Sequence, residues 1–200
     1  MSGTPFRLSV FLACSVWVLW FSLIFGLPHV QEDLAKAEFL TRQTARVAVA
    51  YWGGAVIFLL LALKMARWFW VLGSAAFLVH VLTAFAEIHE WSHRAAFAHV
   101  EAASGFGAGI FVSYVFTLVW FVDACWWLFA EGTYRRRANS LNLVIHLFMA
   151  FIVFNGTVIY EAGLIRWAAA SLFICLGVLV VRRWHKRHNS TRPQTNSAQP

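Results

Sequence analysis

Charged residues are scarce in this sequence of 200 residues: Asp, Glu, Lys and Arg together make up 12% of it. A soluble domain typically contains about 25% charged and about 45–50% apolar residues. Here hydrophobic residues make up 60%, and 19 Phe and 11 Trp stand against only nine carboxylates. The chain has too few polar groups to cover its apolar ones with a water-facing surface. The composition therefore excludes a soluble globular protein and indicates a chain embedded in a lipid bilayer.

Cysteine is also rare. Cys14, Cys125 and Cys175 each lie inside an apolar run, and no C-x-x-C pair is present. This pattern excludes a disulfide scaffold and a thiolate zinc site. We expect all three thiols to pack as small hydrophobic side chains.

No cleavage pattern of small residues follows the first apolar run, which extends from Arg7 to about Gly26. It is also longer than the 7–15 residues of a cleavable signal peptide. Strand-length segments of alternating polarity, which a membrane barrel would need, are missing as well. We therefore expect the first run to be a retained transmembrane helix.

Long apolar runs, by contrast, are plentiful. A spanning helix needs about 20 mostly apolar residues, and backbone groups in hydrocarbon must be paired within the segment. The sequence predicts an all-α bundle of six spans, in a single transmembrane domain over 1–181 that precedes a basic, largely disordered tail over 182–200. The six predicted spans are 8–27, 47–63, 68–88, 107–129, 141–160 and 164–181.

The connections between spans differ in length. The short connections 64–67 and 161–163 predict antiparallel hairpins. In the longer segment 28–46, opposite charges four residues apart at Glu38 and Arg42 favour a helical extension that runs into the second span.

Basic residues are distributed unequally between the two sides. With the N-terminus inside, eleven Lys and Arg face the cytoplasm and five face outward, which predicts cytoplasmic termini in a bacterial inner membrane. The basic cluster 182–188 follows the last span, a position typical of an anchor to lipid headgroups. We therefore expect the lipid bilayer as partner and no nucleic acid. A second copy of the chain or another membrane protein stays open as a further partner.

The densest polar sequence is His89-Glu90-Trp91-Ser92-His93, an H-E-x-x-H pattern. On a helix, this spacing places two imidazoles one turn apart, where both can bind Zn²⁺. Glu90 would then act as general base on the zinc-bound water. The pattern is therefore compatible with a zinc hydrolase.

In a second interpretation, the histidines bind a metal ion but Glu90 is not a catalytic residue. His89 and His93, with His99 as a third ligand, would bind zinc, copper or iron, and Glu90 and Glu101 would orient the rings. A third interpretation makes these histidines ordinary residues of the membrane interface. We favour a non-catalytic membrane component with an external metal site. A metal-dependent hydrolase is the alternative.

Several polar residues fall inside the predicted spans, where they normally face the bundle and pair with one another. Counting residues at 1.5 Å per residue places Asp123 and His146 at nearly the same depth, which predicts a pair. Such a pair can relay protons or simply join two helices. We also expect His80, Glu87 and Asn155 to be buried polar residues.

Three elements together resemble a known group of proteins. They are Trp91-Ser92-His93, the span from Gly107 to Trp127, and Phe154-Asn155-Gly156-Thr157-Val158. The chain resembles, over more than half its length, uncharacterised multipass membrane proteins found mainly in planctomycete-type bacteria. The resemblance implies a helical membrane fold and implies no activity.

Overall fold

In a computed structural model, which describes residues 33–190, the chain is entirely helical and contains no strand. The all-α prediction is confirmed. Seven α-helices and one π-helical segment, Asn155–Ile159, follow one another in these residues. The α-helices are α1 (Asp33–Leu60), α2 (Ala66–Glu87), α3 (His93–Ser104), α4 (Gly109–Phe129), α5 (Glu131–Arg135), α6 (Asn139–Phe154) and α7 (Gly163–Ser190).

Five helical segments among the described residues are long and apolar enough to cross a membrane. Each overlaps one predicted span, so the prediction of a multi-pass membrane protein is confirmed at this level. The remaining predicted span, 8–27, lies outside the described residues, and the total of six and the cytoplasmic termini stay predictions. The five segments are Lys36–Leu60, Ala66–Glu87, Gly109–Phe129, Asn139–Ile159 and Gly163–Lys186.

α1 begins well before the predicted span 47–63. The helical extension predicted from spaced charges is confirmed, because α1 starts at Asp33 and Arg42 lies 3.5 Å from Glu38 one turn earlier. No proline occurs between residues 29 and 192. Nothing therefore removes a backbone donor from these long helices.

The interior of the bundle is aromatic. α1 packs along α2, and α4 packs against α2 as well. The side chains of Trp52, Trp70 and Trp120 are almost completely buried, and the indole N–H of Trp120 donates to the backbone oxygen of Trp70 at 3.2 Å. Gly73 allows this close approach, because a Cβ there would lie 2.7 Å from the Trp120 ring and 3.1 Å from the Cβ of Tyr51.

The two ends of the bundle differ in chemistry. We call one the basic end, defined by Arg67, Arg135–Arg137 and Arg183, and the other the histidine end, defined by His89, His93 and His99. At the basic end, Arg67 pairs with Glu131 at 2.5 Å and joins α2 to α5. Arg183 donates to the last carbonyls of α1, at 2.6 and 3.0 Å. These contacts tie α1, α2, α5 and α7 together at one end.

The basic tail begins as helix. α7 continues beyond the predicted span and ends at Ser190. That the tail is largely disordered stays a prediction. Residues 191–200 lie outside the described residues.

Candidate functional site

A turn interrupts the H-E-x-x-H sequence. α2 ends at Glu87, and His93 is the first residue of α3. Between them, Glu90 and Trp91 adopt left-handed backbone angles, with φ of 47° and 60°. The prediction that His89 and His93 lie one turn apart on a single helix is therefore wrong.

Ser92 accounts for the new helix start. Its hydroxyl accepts a hydrogen bond from the backbone N–H of Ala95 at 3.2 Å, which is the usual role of serine at a helix N-terminus. The N–H of Trp91 donates back to the carbonyl of Phe85 at 2.9 Å and closes the turn. The chain therefore leaves one helix and starts the next within five residues.

His89, in the turn that follows α2, contacts His99 of α3. Their ring centroids are 5.2 Å apart in an edge-to-face arrangement, and Phe85 contacts His89 at 5.5 Å. His89 is buried and His99 is exposed. Burial, followed by the positive charge that His99 can carry, lowers the pKa of His89 below its usual value. His89 is therefore neutral at neutral pH, the form that binds a metal ion.

His93 contacts a different helix. Its Nδ1 lies 2.8 Å from the hydroxyl of Tyr114 in α4, and its ring packs against Phe111. Within residues 33–190, no three His, Cys, Asp or Glu side chains are arranged to hold a metal ion. The site of three histidine ligands predicted from His89, His93 and His99 is thus not formed, because the turn places His93 against α4.

Glu90 does not occupy the position of a catalytic base. It is exposed, and it lies in the turn with a positive φ rather than on a helix between two zinc ligands. A zinc hydrolase needs the carboxylate held beside the metal-bound water. The geometry that the hydrolase interpretation requires is therefore absent from this segment.

Asp123 has partners other than the one predicted. It is almost completely buried at the basic end and forms an ion pair with Arg137, while the Tyr134 hydroxyl donates to its Oδ2 at 3.1 Å. Arg137 also donates to Tyr134 and to Asn142, at 2.8 and 2.5 Å. Burial and the neighbouring Asp123 carboxylate raise the pKa of Tyr134 above its usual range. Tyr134 is therefore a permanent hydrogen-bond donor in this network.

His146 forms no hydrogen bond to Asp123. Its ring packs edge-to-face against Trp70 at 5.0 Å, and neither ring nitrogen has a hydrogen-bond partner among the described residues. Asp123 therefore pairs with Arg137 and not directly with His146. That a water molecule bridges Asp123 and His146 stays a prediction.

The other polar residues expected inside the bundle have separate environments. His80 is half-buried, and its Nδ1 donates to the carbonyl of Thr41 at 2.9 Å. Asn155 is half-buried and donates to the carbonyl of Phe151 one turn earlier, at 2.7 Å. Glu87 is exposed, so the prediction that it is buried is wrong. It is the last residue of α2, at the end that meets the turn.

Sequence reasoning missed Arg137, Tyr134 and Tyr114. A signal for Arg137 was present, because a carboxylate inside a span needs a cation and the nearest basic run begins soon after Asp123. In the sequence, however, a basic run at this position indicates orientation equally well. Tyr114 had no such signal, since only the fold brings it to His93.

Neither a protein-family model, nor any curated protein, nor any solved structure matches this chain. The resemblance to multipass proteins of planctomycete-type bacteria stays a prediction, and the functional argument depends on the geometry of the chain itself.

Proposed function

We propose that this protein is a non-catalytic component of a bacterial cytoplasmic membrane, and that His89 and His99 at its external end bind a transition-metal ion. The observation that carries this proposal is the contact between the two imidazole rings, with centroids 5.2 Å apart. Zinc, copper and iron are the candidate ions, because imidazole suits all three.

The spacing of the rings is compatible with shared coordination. Zinc–nitrogen bonds are about 2.0–2.1 Å long, so two imidazoles on one tetrahedral ion have ring centroids about 5 Å apart. The lowered pKa of His89 supports the proposal, since it leaves that ring unprotonated at neutral pH. Water or a small anion would supply the remaining ligands.

Two observations support a non-catalytic role for the pair of His89 and His99. Glu90 lies in the turn and is exposed. Asp123, the only aspartate in a described span, forms its ion pair at the opposite end. Neither Glu90 nor Asp123 is placed as a catalytic base beside the two imidazoles, so we do not propose the hydrolase.

Location and partners belong to the same proposal. The eleven-to-five division of Lys and Arg supports cytoplasmic termini and an external histidine end. Exposed apolar side chains on α4 and α6, such as Leu118, Phe121, Leu147 and Phe151, provide a surface for lipid. The same surface suits a second copy of the chain or another membrane protein.

Elemental analysis tests the proposal. The full chain, carrying no polyhistidine tag, is purified in detergent, stripped with a chelator, dialysed against zinc, copper or iron and measured. We expect about one ion per chain for a two-imidazole site, with loss of that ion in His89→Gln and in His99→Gln.

His93→Gln is the matched control, because His93 lies in the same region but contacts Tyr114. We expect its metal content to equal that of the parent. Equal metal content in the parent and in folded His89→Gln and His99→Gln samples would contradict the proposal. Loss in all three variants would contradict a site formed by His89 and His99 alone.

A further inference from the structure

A cavity of about 650 Å³ lies among α1, α7, α2 and the π-helical segment. Small-molecule sites typically measure about 300–1,000 Å³, with apolar walls and a few polar groups that fix orientation. This cavity matches that description, because more than half of its lining residues are Val, Ala, Leu, Ile, Phe or Gly and the others supply polar groups.

The cavity is elongated along the bundle. Thr41 and Tyr51 both line it from α1, and ten residues of helix correspond to about 15 Å. On α2, His80 and Phe69 also line the cavity, and they are about as far apart along their helix as Thr41 and Tyr51 are along α1. Thr41 and His80 share a hydrogen bond at one end, and Tyr51 and Phe69 contact each other at the other. The cavity therefore has the length of an acyl chain rather than the shape of a compact solute.

Polar groups collect at one end only, on the side of the histidine end. Arg42, Arg46 and Glu161 line the cavity there, so the two cations exceed the one anion. Arg46 lies 3.9 Å from Glu161, a loose ion pair, and Arg42 pairs with Glu38 on the outside of α1.

Two of the lining polar atoms have no partner. The Nε of Arg46 and the hydroxyl of Thr41 are buried without a hydrogen bond among the described residues. Buried polar groups are nearly always paired, so an unpaired donor at a cavity mouth indicates a missing ligand or water. A guanidinium in particular matches the oxygens of a phosphate.

From this arrangement we infer that the cavity binds an anionic phospholipid of the outer leaflet, with its phosphate at Arg46 and Thr41 and one acyl chain along Tyr51 and Phe69. The choice of the outer leaflet rests on the proposed orientation, but the inference does not depend on the metal proposal, since none of the residues that carry it belongs to the histidine pair.

Photo-crosslinking in vesicles tests this inference on the full chain. The protein is reconstituted with phosphatidylglycerol, or with phosphatidylcholine as the uncharged comparison, each with a diazirine on one acyl chain. Labelled peptides are identified by mass spectrometry. We expect labels from phosphatidylglycerol on the part of α1 near Tyr51 and on the part of α7 near Leu172.

Two variants test the acyl-chain region and the phosphate region of the cavity separately. Ala50→Trp fills the cavity, and its matched control Ala75→Trp enlarges an exposed alanine of α2 that does not line it. We expect labelling to fall only in Ala50→Trp. Arg46→Gln removes a charged hydrogen bond to the phosphate, so we expect about tenfold weaker preference for phosphatidylglycerol over phosphatidylcholine.

Competition with inorganic phosphate distinguishes the source of the anion. We expect millimolar phosphate to leave the label in place, because the acyl chain contributes to binding. Loss of the label under phosphate would overturn the lipid assignment. Equal labelling of folded Ala50→Trp and Ala75→Trp would do the same, and so would lipid labels on the predicted span 8–27 in place of the peptides near Tyr51 and Leu172.

Discussion

Asp123 and Arg137 form the most buried of the ion pairs among the described residues, with side chains 2% and 4% exposed. Burying two charges is costly, and their attraction compensates only when the remaining polar atoms are also paired. Tyr134 and Asn142 provide those partners. The network joins α4 to the segment that leads into α6, so we assign it a structural role at the basic end.

Replacement of Arg137 should therefore lower the stability of the protein much more than replacement of its neighbour Arg136. Arg137→Gln leaves the Asp123 carboxylate buried without its cation, and we expect the free energy of unfolding to fall by about 3–5 kcal/mol. The exposed Arg136 is the control, since Arg136→Gln breaks no buried pair. Denaturation in detergent measures both. Asp123→Asn combined with Arg137→Gln should recover part of the loss, and similar effects of the two single changes would contradict this role.

His89 makes the stability of the histidine end depend on pH. Its pKa in the folded protein lies below the value of 6.5 that the unfolded chain would show, so unfolding takes up a proton in mildly acidic solution. The contribution of neutral His89 to the free energy of unfolding is complete above about pH 6.5. It decreases as the pH falls toward the pKa of His89 in the folded protein. Thermal unfolding of metal-free protein at pH 7.5 and at pH 5 should show a larger decrease for the parent than for His89→Gln. Equal decreases would count against a neutral, buried His89.

At the scale of helices, hydropathy predicts where the described spans lie but not the residues at which the helices begin and end. Apolar runs identify spanning helices because lipid requires continuous apolar residues. The break after Glu87 was missed, because Glu90 and Trp91 are not residues that typically adopt positive φ. Ser92 carried a detectable signal as a helix N-cap.

Helix packing depends on one small residue where α1, α2 and α4 meet. Gly73→Leu would force a side chain against Trp120 and Tyr51, and overpacking of this kind costs about 1–3 kcal/mol. Gly177 in α7 is the matched control, because a Cβ there meets nothing within 4 Å. We expect a lower thermal midpoint in detergent for Gly73→Leu and little change for Gly177→Leu. Equal effects would mean that the contact at Gly73 does not limit the packing.

The candidate site could be predicted only in part. The three histidines stand out because polar residues are rare in this chain, but their mutual arrangement depends on the turn between α2 and α3 and on the packing of α3 against α4. Equal depth predicts that Asp123 lies near His146, but it does not show that the carboxylate pairs with Arg137. Residue counting along straight helices gives heights, whereas partners depend on helix rotation and on loops.

For the whole molecule, the described helices form one bundle with a basic end and a histidine end. The arginines at the basic end contact the ends of α1 and α4 and the short α5. The division of charge between the two ends is typical of a membrane protein whose basic end faces the cytoplasm. Both proposed sites, the metal pair and the polar end of the lipid cavity, would then face outward.

A measurement of which end of the bundle faces the cytoplasm tests the proposed orientation most directly. Single cysteines at the exposed positions Ala102 in α3 and Arg136 near α5 are introduced into a chain whose native cysteines are replaced by alanine. Intact cells are treated with a maleimide that does not cross membranes. We predict labelling of Ala102→Cys in intact cells, and labelling of Arg136→Cys only after the membrane is permeabilised. Labelling of Arg136→Cys in intact cells, with Ala102→Cys protected, would contradict the account.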